Sequence, residues 1–92
     1  MNRLDGKVAI IFGAGPNIGG TIAHFFAREG AQIAIADVNG EVAATTAEFL
    51  RGRGFDTLPL TGNATKEDHV ARIVADTVQR FGHVDCLVNT AG

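Results

Sequence analysis

The stretch Gly13-Ala14-Gly15-Pro16-Asn17-Ile18-Gly19-Gly20 constrains this chain more than any other, because of what stands on either side of it. Before it, Lys7-Val8-Ala9-Ile10-Ile11-Phe12 is an apolar run of the kind expected for a parallel strand buried on both faces. After it, Ile18, Ile22, Phe25 and Phe26 recur at helical spacing as far as Glu29, and Gly30 follows as a stop. A glycine-rich turn from a buried strand into a helix is the context in which such a loop becomes a diphosphate site. Gly13 and Gly15 allow the backbone to turn tightly and approach a ligand, and Gly19 allows the helix to pack close to the strand. The N–H groups of the helix start, at the positive end of its dipole, then face the phosphates.

The rest of the chain repeats the alternation of short β-branched runs with longer helical patterns. Gln32 to Ala36 reads as a second strand closing on Asp37. Asn39 is a good N-cap for a second helix that turns Val42, Thr46, Phe49 and Leu50 toward the core before Gly52 and Gly54 break it. Thr57-Leu58-Pro59-Leu60 is a weaker third strand, and its proline suits a sheet edge. Thr65-Lys66-Glu67-Asp68 resembles a loose capping box; Val70, Ile73, Val74, Val78 and Phe81 then mark one face of a third helix, which Gly82 ends. Val84 to Val88 is the fourth strand. Right-handed crossovers give an α/β, Rossmann-type doubly wound parallel sheet, partial, with four strands in the order 3-2-1-4 and three helices. Two helices are expected on one face and the third on the other. A ligand is expected at the carboxyl ends of the first and fourth strands.

Asp37 lies about 20 residues beyond the glycines, where an acid hydrogen-bonds the adenosine ribose hydroxyls of a dinucleotide. Its carboxylate repels a 2′-phosphate, and neither Pro16 nor Val38 offers a cation to offset that repulsion. NAD(H) is therefore expected in preference to NADP(H). Gly13, Gly15, Asn17, Ile18, Gly19, Asp37 and Val38 are the candidate cofactor contacts read from the residues themselves.

Other functions find little footing. A formal net charge of −2 without a run of like charges offers no basic stripe for nucleic acid or an anionic membrane. No apolar stretch approaches the roughly 20 residues of a spanning helix, and Met1 to Lys7 lacks the apolar core of a signal peptide, so a cytoplasmic location is expected. His24, His69 and His83 are scattered without metal-ligand spacing, and no metal site is expected. Cys86, the only cysteine, reads as a small hydrophobe in a buried strand.

These residues resemble the short-chain dehydrogenases/reductases, and the similarity runs from Leu4-Asp5-Gly6-Lys7-Val8-Ala9 through the glycine loop and Asp37 to Asp85-Cys86-Leu87-Val88-Asn89-Thr90-Ala91-Gly92. The last stretch is similar to the family's D-x-L-V-N-N-A-G signature. The resemblance implies that Asn89, Ala91 and Gly92 end the fourth strand and pass beside the adenosine ribose, with Thr90 departing from the second asparagine. The family's loop is T-G-x-x-x-G-x-G; Phe12 stands for its threonine and Asn17 for its middle glycine, while Gly13 and Gly19 keep their places. Asn63-Ala64 occupies the place of an Asp-Val pair that grips the adenine in the family. An amide carbonyl and the Ala64 N–H can serve the same end, the alternative being that Asn63 is a plain turn residue.

The resemblance further implies a serine, a Tyr-x-x-x-Lys pair and another asparagine as catalytic residues, all downstream of the asparagine-rich signature. The chain contains no tyrosine, so no catalytic residue is assigned within it. Residues 1–92 are thus expected to form the front half of a Rossmann domain: the NAD(H)-binding portion of an oxidoreductase acting on a small alcohol or carbonyl substrate. A stand-alone, non-catalytic nucleotide-binding or interaction module is the alternative. Alone, the chain is expected to be inactive and to associate, as a homo-oligomer or otherwise, through the exposed edge of its fourth strand.

Overall fold

The four apolar runs pair as parallel strands, and the segments between them are the helices that parallel connections require. The structure is a computed structural model that describes residues 3–13, 15 and 18–90. Its elements run β1 (Val8–Phe12), α1 (Gly19–Arg28), β2 (Gln32–Asp37), α2 (Gly40–Gly52), β3 (Thr57–Thr61), α3 (Glu67–Phe81) and β4 (Cys86–Asn89). The sheet order is β3-β2-β1-β4, as the crossover rule predicts. Ile10 stands opposite Ala34 on one side and Leu87 on the other, which makes β1 the inner strand at the point where the order reverses. Pro59 lies on β3, at the edge its missing N–H demands.

Alternation along the inner strands separates two cores. Ala9, Ile11, Ile33 and Ile35 face α1 and α2, whereas Ile10, Phe12, Ala34 and Ala36 face Ile73 of α3 with Val70 and Val74 beside it. On the first face the helices contribute small residues at their centres: Ala23 and Ala27 from α1, Ala43 and Ala47 from α2, with Leu50 at the far end. Alanines let a helix axis settle close to the pleated surface, so larger side chains are displaced to the flanks. That is why Phe25 and Phe49, expected in the core from their helical spacing, are exposed; Ile18, at the N-cap of α1, and Val78, on α3 beside the buried Ile73 and Thr77, are exposed as well. Ile22, Phe26 and Val42 keep partial contact with the first core.

The helix ends also depart in detail from the sequence expectation. Asn39 caps α2 as expected, its Oδ1 accepting from the Glu41 N–H at 3.0 Å. Gly52 remains helical; the stop is Gly54 at φ +87°, where the Gly54 and Phe55 N–H groups donate to the Arg51 and Leu50 carbonyls. Helix α3 begins at Glu67 without a side-chain cap, because the Thr65 hydroxyl turns back to Asn63.

Cys86 is exposed, which corrects its expected burial. Cys86 shares the face of Ala9, on the α1/α2 side, and Leu87 that of Ile10, on the α3 side; among the described residues no helix packs over β4 on either face, so both remain open although their run is apolar. The start of β4 is pinned to β1 instead: the Asp85 N–H donates to the Val8 carbonyl and Asp85 Oδ2 accepts from the Val8 N–H, both at 2.8 Å. That backbone donor, with His83 and Lys7 nearby, holds the Asp85 carboxyl below the ordinary carboxylate value despite some opposing desolvation. Among the described residues no helix is long and apolar enough to cross a membrane.

Two outcomes follow from this packing. Ala47→Leu is expected to destabilise the protein by about 1–3 kcal/mol in urea unfolding through overpacking, while Ala44→Leu on the exposed face of α2 is expected to be nearly neutral. A carboxyl held below its unfolded value stabilises the fold above that value and loses its contribution as the pH falls through the folded one. The melting midpoint of Asp85→Asn is therefore expected below that of wild type at pH 7, the gap closing as the pH drops below 3.8. A gap independent of pH would show that the charge is not what matters.

Candidate functional site

At the end of β1 the chain leaves the sheet through Gly13, whose φ of +91° is a left-handed value that suits glycine. Its N–H donates to the Ala36 carbonyl at 2.8 Å, so the turn starts from the ends of two neighbouring strands. Its carbonyl meets the start of α1: a Cβ on Gly19 would fall onto the Gly13 oxygen. Gly19 thus does what its sequence position suggested, and only a residue without a side chain brings helix and strand this close. Ile18, the N-cap residue of α1, makes no side-chain hydrogen bond to the helix and is 62% exposed, and no acid stands in the first turn. Such a start presents backbone N–H groups and a positive dipole end to an anion.

Beside this turn a cleft of about 180 Å³ lies across the carboxyl ends of β1, β2 and β4. Gly13, Asp37, Val38, Asn63, Ala64 and Asn89, all singled out from the sequence, line it together, and no lining residue is Lys or Arg. Asp37 ends β2, and its Oδ1 accepts from the Asn39 N–H at 2.9 Å, which orients the carboxylate. Asn89 ends β4 opposite Phe12. Gly15 is described and half-buried, its carbonyl accepting from the Gly20 N–H at 2.8 Å. Asn17, Ala91 and Gly92, with Pro16, lie outside the described residues.

The Asn63 turn is the part least visible beforehand. Asn63 Oδ1 accepts from both the N–H and the hydroxyl of Thr65, at 2.9 and 2.7 Å. A backbone N–H can only donate, so this contact fixes which end of the amide is oxygen, and the carbonyl is already engaged in the turn. His69, read as an ordinary helix residue, accepts the Asn63 N–H on Nδ1 at 3.0 Å and so carries its proton on Nε2. Arg72 donates to the Thr61 carbonyl at 2.8 Å. These two α3 side chains buttress the loop after β3, a role that their spacing on a polar helix face did not signal.

Size does not select this cleft. A larger concavity of about 320 Å³ lies between α1 and α2, lined by Thr21, His24, Thr45, Thr46 and Phe49 among others. Gly20 in the first turn of α1 also lines it, but no strand residue and no carboxylate does, whereas donors and acceptors converge at the strand ends. The β1 turn and the Asp37 cleft offer backbone donors for phosphates and an oriented carboxylate for hydroxyls, which together match a dinucleotide. No group of His, Cys, Asp and Glu residues fit to hold a metal ion occurs among the described residues.

Comparisons with known proteins give the family. The family described as short chain dehydrogenase matches residues 7–92. An uncharacterised oxidoreductase of Thermotoga maritima is 40% identical over 88 residues, covering 96% of this chain and 34% of that protein. An L-fucose dehydrogenase of Oryctolagus cuniculus is 39% identical over 90 residues, covering 98% of this chain and 30% of that protein. The crystal structure of a hydroxysteroid dehydrogenase from Escherichia coli superposes with a TM-score of 0.93 at 37% identity, covering 98% of this chain and 38% of that one. The chain thus spans about a third of the length of the curated relatives it matches.

Gly19→Val is expected to remove measurable dinucleotide binding, because the added carbons push α1 off the Gly13 carbonyl. Calorimetric titration alongside a melting curve checks this. Binding retained by a folded variant would mean that the close approach does not shape the site.

Proposed function

The chain belongs to the short-chain dehydrogenase family, and on that premise we propose that it forms the NAD(H)-binding portion of an oxidoreductase that interconverts an alcohol and a carbonyl on a small-molecule substrate. The observation that carries the cofactor choice is Asp37, which ends β2 in a cleft whose lining includes no basic residue. A carboxylate there accepts from the 2′- and 3′-hydroxyls of an adenosine ribose and opposes a 2′-phosphate by like-charge repulsion. Val38, 66% exposed beside it, offers no compensating charge.

The remaining residues take complementary parts. The Gly13 turn, whose own N–H is engaged by Ala36, shapes the seat of the pyrophosphate, and Gly15, Asn17, Ile18 and Gly19 at the start of α1 are assigned to receive it on backbone N–H groups. Asn63 and Ala64 close over the adenine: with the Asn63 carbonyl held by Thr65, the amide NH₂ and the Ala64 N–H are the donors left to meet ring nitrogens. Asn89, at the end of β4, is assigned to the ribose, and the family resemblance gives Ala91 and Gly92 the same part. When bound, the nicotinamide supplies the hydride acceptor or donor of the reaction. The residues of this chain bind and orient that group. None of them is assigned to proton transfer, since the chain holds no tyrosine for the role the family gives that residue. Relatives named as L-fucose, sorbitol and hydroxysteroid dehydrogenases support a hydroxyl-bearing or carbonyl substrate.

Titration of the protein carrying this segment with NADH and NADPH tests the reading, with tighter binding of NADH expected. The double change Asp37→Ala with Val38→Arg is expected to shift the preference toward NADPH by about 10- to 100-fold, the worth of one charge-assisted phosphate contact. Equal affinities in wild type, or no shift in the double variant, would remove Asp37 from the ribose.

A further inference from the structure

Thr90 follows β4 and is no part of the cofactor contacts assigned above. Its N–H continues the β1–β4 ladder by donating to the Phe12 carbonyl at 2.9 Å. Its hydroxyl turns toward the glycine loop, with Oγ1 2.9 Å from the Phe12 carbonyl oxygen and 3.0 Å from that of Gly13. One hydroxyl proton is shared between these two carbonyls at the point where the chain leaves the sheet. The same Oγ1 lies 3.2 Å from where a Gly19 Cβ would stand, so Thr90 reaches the far side of the loop as well.

We propose that Thr90 is the positioning residue of the phosphate loop: its hydroxyl holds the Gly13 carbonyl in the orientation that lets α1 approach and so aims the helix N-terminus at the pyrophosphate. Gly13 carries a left-handed φ that leaves its peptide plane weakly restrained by local sterics. Phe12, buried with a side chain that cannot hydrogen-bond, offers the turn no polar anchor from β1. The anchor therefore comes from the neighbouring strand. A hydroxyl is needed at position 90 and its methyl group is not, so serine can replace threonine where valine, nearly identical in shape, cannot.

The proposal rests on the dinucleotide reading, and two ligands separate the two. NADH uses the phosphate loop and the Asp37 cleft, whereas adenosine uses the cleft alone. In calorimetric titrations of the protein carrying this segment, Thr90→Val is expected to weaken NADH about tenfold, leave adenosine binding as in wild type and be rescued by Thr90→Ser. Asp37→Ala is expected to weaken both ligands. If the valine variant does not fold, Thr90→Ala against Thr90→Ser reads the same hydroxyl. NADH binding unchanged by loss of the hydroxyl would overturn the proposal while leaving the cofactor reading intact. Equal losses for NADH and adenosine would also overturn it, since they would report a general loosening of the sheet end. A wild-type protein that binds neither NADH nor NADPH would overturn the cofactor reading and the role of Thr90 with it.

Discussion

The contact of the Gly13 carbonyl with the start of α1 at Gly19 is the constraint on which the other features rest. With a side chain at Gly19 the helix would have to lift, and the alanines at 23 and 27 could no longer reach Ala9 and Ile11. The core on that face is built from small residues, so it has little slack to follow a displaced helix. The same contact turns the chain sharply at the end of β1 and brings the N-terminus of α1 beside the strand ends. Packing and the shape of the candidate site are therefore set by one approach of two backbones.

Around this point the ends of the central strands are fastened by specific hydrogen bonds. The Gly13 N–H holds the end of β2, Thr90 holds the end of β1, and Asp85 ties the starts of β1 and β4. Asp37 is aimed by the Asn39 N–H, and Asn39 in turn caps α2. The site thus inherits its geometry from groups that also terminate secondary structure. On the proposed reading, an anion at α1 and hydroxyls at Asp37 would meet partners already in place, which lowers the ordering cost of binding.

Much of this was legible in the sequence because it depends on local patterns. Apolar runs separated by helical periods name the strands, and the crossover rule orders them. Asp37 follows from its distance beyond the glycine loop. What was not legible depends on size or on tertiary cover. The helix faces are marked by alanines, whose weak hydropathy does not distinguish Ala43 and Ala47 from exposed Ala44, so larger Phe25 and Phe49 drew the eye to the wrong flank. Cys86 sits in an apolar run, yet its burial depended on whether a helix covers β4 on the face it shares with Ala9, and among the described residues none does. Thr65 resembled a cap because Ser and Thr caps and turn-side hydroxyls share one chemistry; Asn63 two residues earlier decided between them. Thr90 read only as a departure from a family pattern, since its partners lie 77 and 78 residues away in the chain.

The claim that the strand-end cleft and the α1 turn together receive the dinucleotide is tested most directly by mapping backbone amide shifts as NADH is added to the isotope-labelled protein. Perturbations are predicted at Gly13, Gly15, Gly19, Asp37, Asn63, Ala64 and Asn89, which lie together at the carboxyl ends of the strands and the start of α1. Perturbations confined to His24, Thr45 and Phe49 in the larger groove between α1 and α2, with the glycine turn and Asp37 unmoved, would contradict it.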